Sequence, residues 1–196
     1  MTERVARVPR EEVRRRVLEA AEQLYAQRGI DATSIEDVAR AAGFTKGAVF
    51  SNFATKDELV AAIMDERVAA RLGDVVRTLD TEAGAADLPG EVGRMFAQRL
   101  REDDGGSLLV LEYLLRAARD PSTGTEFVES RRAQRDLVAT LIEQQAGLRG
   151  MALRLPPSTL ALALLALTSA VAAERRADPD GVDPGALGDI VSALLS

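Results

Sequence analysis

The chain has 196 residues, 46% hydrophobic and 29% charged, with a net charge of −6, enough for a small module plus a larger core in a globular protein. It contains no cysteine and no histidine. That excludes disulfides, thiolate or imidazole metal sites, thiol nucleophiles, histidine general bases and histidine pH switches. No cofactor is implied. The only hint of carboxylate chemistry is Glu112 beside Tyr113, and no paired carboxylates converge on one site, so an enzyme is not expected. The opening residues, MTERVARVPREEVRRR, lack the apolar core of a secretory signal. The longest nearly apolar run, Leu160 to Ala173, is 14 residues, short of a bilayer span. The expectation is a cytoplasmic protein with no membrane partner.

The pattern is helical throughout, and no alternating strand pattern of useful length occurs. Val13, Val17, Ala20, Ala21 and Leu24 recur at helical spacing, which predicts a first helix from about Glu11 to Arg28, stopped by Gly29. Thr33 with Glu36 fits a capping box for a second helix, whose inward face is Ile35, Val38 and Ala39. Gly43 supplies the turn, where a residue free to take positive φ is needed. Thr45 fits an N-cap for a third helix with Val49, Phe50 and Phe53 inward. Ala39, Gly43 and Val49 are spaced as in a helix-turn-helix, where a small residue lets two helices cross and the second helix enters a DNA major groove. Thr55 with Glu58 fits a second capping box, opening a fourth helix that runs to about Leu79. Leu59 and Ile63 face back to the first three helices, and Val68, Leu72, Val75, Val76 and Leu79 carry the stripe onward.

Residues 80 to 90 form a loop, followed by a helix marked by Val92, Met95, Phe96 and Leu100. Ser107 to Ala118 is apolar on most sides, a central buried helix. Asp120 and Pro121 break it. Phe127, Val128, Leu137, Val138, Leu141 and Ile142 mark a long helix. Ser158 caps the next, which ends near Arg176, and Ala186 to Leu195 is the last. The fold class is all-α, about nine helices. Residues 1 to 56 form a three-helix helix-turn-helix domain suited to DNA, and residues 57 to 196 form a second, larger helical bundle, with the fourth helix shared.

The segment RVLEAAEQLYAQRGIDATSIEDVARAAGFTKGAVFSNFATKDEL resembles the N-terminal domain of the tetracycline-repressor-like (TetR) transcription regulators, over roughly residues 14 to 60. The remainder matches only in length, helical character and helix order. The resemblance implies a ligand-responsive regulator, a repressor that binds a palindromic operator on double-stranded DNA as a homodimer and is released by a small molecule. A helical small-molecule-binding protein with a vestigial DNA-binding domain is the alternative. Residues 1 to 60 carry ten basic and ten acidic side chains, but the first 16 hold six arginines against three glutamates, and specific binding needs a basic face rather than a basic domain.

At the reading helix, Thr45, Lys46, Gly47 and Ala48 would lead, with little bulk to keep the backbone from DNA. Lys46 and Lys56, the only two lysines, would hold phosphates, and Thr33 would add a hydroxyl contact. Phe50 stands where family members carry tyrosine, so it would make apolar contact. Ser51 and Asn52 complete the set. By resemblance, an effector pocket lies among the middle helices. Met64, Phe96, Leu100, Leu111, Tyr113, Leu114, Leu115, Phe127 and Met151 are its candidate lining, with Arg116, Arg119 or Arg131 able to hold a carboxylate. With few aromatics left there, the effector is expected to be small and apolar or amphipathic. The dimer surface is expected on the last two helices, through Leu160, Leu164, Leu167, Val171, Leu187, Ile190, Val191 and Leu194.

Overall fold

A computed structural model describes residues 8–81, 87–103, 105–119 and 125–196, and all regular structure among them is helical. The order is α1 (Arg10–Arg28), α2 (Ile35–Ala42), α3 (Lys46–Phe50), α4 (Lys56–Thr81), α5 (Leu88–Arg101), α6 (Gly106–Arg119), α7 (Thr125–Arg149), α8 (Pro157–Ala177) and α9 (Pro184–Leu195). The side chains of Val68, Leu72 and Leu79, expected on the α4 stripe, and the Asp120–Pro121 break lie outside the described residues.

Local chemistry sets the helix ends. Gly43 ends α2 at φ 77° in the left-handed region, where a side chain would be strained. The capping box of α2 is one residue later than expected. Ser34 Oγ accepts from the Asp37 amide at 3.1 Å, and the Asp37 carboxylate accepts from the Ser34 amide at 3.2 Å. Thr33 is instead fully buried and donates to the Gly29 carbonyl at 2.9 Å, closing the end of α1. Thr45 Oγ1 accepts from the Ala48 amide at 3.2 Å, capping α3. Thr55 Oγ1 accepts from the Glu58 amide at 3.0 Å, while the Glu58 carboxylate takes the Ala54 amide at 2.6 Å. Pro156, and not Ser158, occupies the cap position of α8, and Pro157 takes the first helical position, where a missing amide forfeits no intrahelical bond.

Two apolar clusters form. The first joins α1 to α4 with Leu109, Val110 and Tyr113 of α6 and Phe127 of α7. The second gathers Leu88, Val92 and Leu100 of α5 with Leu164 and Ala172 of α8 and Leu187 and Val191 of α9. In the second, α5 and α9 cross at glycines. A Cβ on Gly188 would lie 2.7 Å from the Gly93 carbonyl oxygen, so neither position has room for a larger residue.

Two expectations change here. At 21 residues, α8 is long and apolar enough to cross a membrane by length and composition; in the structure Leu160, Ala161, Leu164, Ser169 and Ala172 are buried within the bundle. Leu160, Leu164, Leu187 and Val191, expected at a dimer surface, are inside the protomer, at 0%, 5%, 0% and 0% exposure. A helix apolar nearly all round offers several stripes, and the bundle took this one.

Candidate nucleic-acid interface

Three helices make the unit that carries α3. Val49 is fully buried within the first cluster, which turns the opposite side of α3 outward. Thr45, Lys46, Gly47, Phe50 and Ser51 are exposed and Ala48 is partly so. A Cβ added at Gly47 would meet only Thr45 Oγ1, at 3.9 Å, so that side of the helix is open. Phe50, expected inward, is 43% exposed. The Lys46 ammonium lies 5.6 Å from its ring centroid and pairs with Glu36 of α2. That bond holds the Glu36 carboxyl below its ordinary range. Small residues beside an exposed cation and an exposed ring suit close approach to a phosphate backbone and a base edge.

Three predicted contacts are placed differently. Thr33 is buried and cannot meet DNA. Lys56 is half-buried, with its ammonium 5.8 Å from the Tyr25 ring centroid. Burial, then the neighbouring Arg116, pull its pKa below the ordinary lysine value. Asn52 has both ends of its amide engaged: Nδ2 donates to the Ala48 carbonyl at 2.9 Å, and Oδ1 accepts from Arg10 Nε at 3.3 Å. Arg10 was not singled out from the sequence. Only the surplus of arginine in the first 16 residues pointed that way, and nothing in the pattern placed Arg10 beside a residue 42 positions later.

The unit is tied to the rest of the chain through α6. Glu112 Oε1 accepts the Ile30 amide at 2.7 Å, which gives that carboxylate a positioning role. Arg116 reaches Asp31 at 2.5 Å and Asp57 at 3.9 Å. Tyr113 stacks obliquely on Phe127, centroids 4.4 Å apart, within the first cluster.

A cavity of about 360 Å³ lies among α5 to α9 and the middle of α4, at the small end of the usual range for small-molecule sites, about 300–1,000 Å³. Of the candidate effector residues, Phe96, Leu100 and Met151 line this cavity, together with Val138, Leu141 and Ile142, and Arg131 is on its wall. Met64, Tyr113 and Phe127 do not line it; they are buried in the first cluster. Leu114 packs against that cluster, Leu111 is half-buried away from the cavity, and Leu115 is exposed. For the residues of α6 the reason is shared: that helix gives Leu109, Val110 and Tyr113 to the first cluster and shows the cavity only its first turn, at Ser107.

On α8 and α9, Leu162 is 55% and Ile190 39% exposed, and Ala166, Ala170 and Ala193 are exposed with them. Leu167, Val171 and Leu194 are half-buried at the margin of the second cluster. An apolar exposed band of this kind is what a partner surface covers.

Residues 17–63 match the family model described as bacterial regulatory proteins, tetR family. The HTH-type transcriptional repressor Rv3405c of Mycobacterium tuberculosis is 46% identical over 77 residues, an alignment spanning 39% of this chain and 38% of that protein. The HTH-type transcriptional activator FasR of Mycolicibacterium smegmatis is 26% identical over 164 residues, 83% of this chain and 71% of that one. Among solved structures, a tetR-family member from Streptomyces coelicolor, SCO1917, superposes with a TM-score of 0.68 at 26% identity, covering 94% of this chain and 98% of the other.

Proposed function

We propose that this chain is a member of the tetR family of bacterial regulatory proteins, whose model its residues 17–63 match, and that it is a cytoplasmic, DNA-binding transcription regulator, a homodimeric repressor released by a small effector. One observation carries the reading. The side of α3 away from buried Val49 presents Thr45, Lys46, Gly47, Phe50 and part of Ala48 to solvent, on a three-helix unit with a buried apolar core. Lys46 would hold a phosphate; Gly47 and Ala48 would let the backbone near the groove, where Ala48 can meet a thymine methyl.

The effector-binding and dimerisation roles rest on the remaining helices, from α4 onward. The exposed band of α8 and α9, centred on Leu162, Ala166 and Ile190, would meet its twofold copy, and two reading helices would then address half-sites one helical turn or a multiple apart. The effector would occupy the cavity beside Phe96, Leu100 and Met151. Phe96 is the one aromatic on that wall among the described residues, which favours an aliphatic or amphipathic molecule. It acts only by binding one conformer better than the other, and a conformer with α4 tilted would no longer match the half-site spacing.

The test is selection of duplexes from a random library by the full chain, followed by affinity across a salt series. Recovery of a palindromic site, with log affinity falling steeply and linearly against log salt, is expected. Recovery of no preferred site, or an affinity flat in salt, would refute the regulator reading.

A further inference from the structure

At five residues, α3 is too short to hold its shape alone. Its last carbonyls also need partners from outside the helix. The structure supplies them from three side chains. Ser51 Oγ and Asn52 Nδ2 both donate to the Ala48 carbonyl, at 2.8 and 2.9 Å. Arg10, the first residue of α1, donates from Nη2 to the Ser51 carbonyl at 3.0 Å and from Nε to Asn52 Oδ1 at 3.3 Å. The guanidinium fork thus engages the end of α3 at two points, one backbone and one side chain. Its positive charge faces the negative end of that helix, a favourable placement. Asn52 is oriented from both sides. Its oxygen must face the arginine donor, and its amino group must face the Ala48 carbonyl.

We infer that Arg10 is a positioning residue for DNA readout: it clamps the end of the reading helix through Ser51 and Asn52, and Asn52 is a strut in that clamp and not a reader of bases. The inference rests on the DNA-binding reading above. It makes sequence preference depend on a residue at the start of α1. A rotation of α3 is resisted by a bidentate tie, and Lys46, Gly47 and Ala48 are held at a fixed azimuth to the groove. An arginine at this place in the sequence would ordinarily be assigned to a phosphate, and the two roles differ in what they do to salt dependence.

The experiment compares the full-length protein with its Arg10→Ala, Arg10→Lys, Asn52→Ala and Arg10→Ala/Asn52→Ala variants. In the free protein, amide hydrogen exchange at residues 49–53 should speed up about tenfold in Arg10→Ala, a loss on the order of one charge-assisted hydrogen bond, while exchange at Ala21 and Tyr25 stays unchanged. On a duplex selected by the unaltered protein, Arg10→Ala should weaken binding about fivefold per subunit with the salt slope unchanged. The double variant should bind no more weakly than the weaker single variant, because both changes open the same clamp. Arg10→Lys, which keeps one donor for Ser51, should recover part of the affinity. A salt slope lower by about 0.9 per subunit, with exchange at α3 unchanged, would make Arg10 a phosphate contact and overturn the inference. So would additive losses in the double variant, or loss of preference at a single base position in Asn52→Ala. Failure of the unaltered protein to select any duplex would count against the DNA-binding reading, and the exchange result would still decide the clamp.

Discussion

Replacing Glu112 by alanine should loosen the helix-turn-helix unit from the rest of the chain, and the structure sets the size of the effect. Ile30 is fully buried, and its amide donates to Glu112 Oε1 at 2.7 Å. Gly29 beside it sits at φ 83°, and a Cβ there would come within 3.3 Å of the same carboxylate oxygen, so the corner is shaped around that side chain. Alanine removes the acceptor and leaves a buried N–H without a partner, at a cost of about 1–3 kcal/mol. For a chain of this length that is a fall of about 3 °C in Tm per kcal/mol. Glu112→Gln keeps an acceptor oxygen but loses the charge, which roughly halves the strength of the bond, so it should fall between the two. The assay is urea unfolding with an unchanged m-value. Stability of Glu112→Ala within about 0.5 kcal/mol of the parent, the ordinary scatter of surface changes, would refute the reasoning. So would Glu112→Gln being as damaging as alanine, since the charge and not the acceptor would then be what matters.

Tyr25 is 2% exposed and its hydroxyl finds no hydrogen-bond partner among the described residues, so Tyr25→Phe should be neutral or stabilising by up to about 1 kcal/mol in chemical unfolding. Burial raises the Tyr25 pKa. The unfolded chain therefore releases this proton first, near pH 10, and binds fewer protons than the folded one above it. Stability should fall as pH rises past that point, and less steeply in Tyr25→Phe. Gly93→Ala would drive a Cβ into the Gly188 carbonyl and Ser192, costing about 1–3 kcal/mol; an unchanged melting curve would contradict the close crossing of α5 and α9. Leu162→Asp should give a folded monomer in sedimentation, and a persistent dimer would move the interface off this face of α8. Val138→Trp, on the cavity wall, should abolish the fluorescence gain of anilinonaphthalene sulfonate while leaving duplex binding intact; undiminished fluorescence would place the apolar site elsewhere.

Much of the helix-turn-helix unit was legible in the sequence because its signals are local. Gly43 at a left-handed turn and Thr45 and Thr55 as caps are decided within four residues, and the structure keeps them. The exception is instructive. The run TSIED holds two overlapping box patterns, Thr33 with Glu36 and Ser34 with Asp37, and local rules do not choose between them. Burial did: Thr33 tucks under the end of α1 and gives its hydroxyl to Gly29, leaving Ser34 to cap. Phe50 went outward for a similar reason, since Val49 and Phe53 already fill the space behind a helix of five residues.

The apolar residues of the second half were legible as helix and core, not as sites. In α8, the stripe through Leu160 and Leu164 and the stripe through Leu162 and Ala166 are equally good by spacing. Contact with α6, α7 and α9 buried the first and left the second to solvent. Tyr113 and Phe127 look like pocket walls by position in the chain, yet α6 and the first turn of α7 give them to the other core. Thus the order of helices, their caps and turns, and the inward seat of Val49 follow from residues within a turn or two of one another. Which apolar face meets solvent, where the cavity opens, and that Arg10 meets Asn52 follow only from how helices cross. Periodicity specifies a stripe around one axis, and it carries no information about the neighbour that stripe will touch.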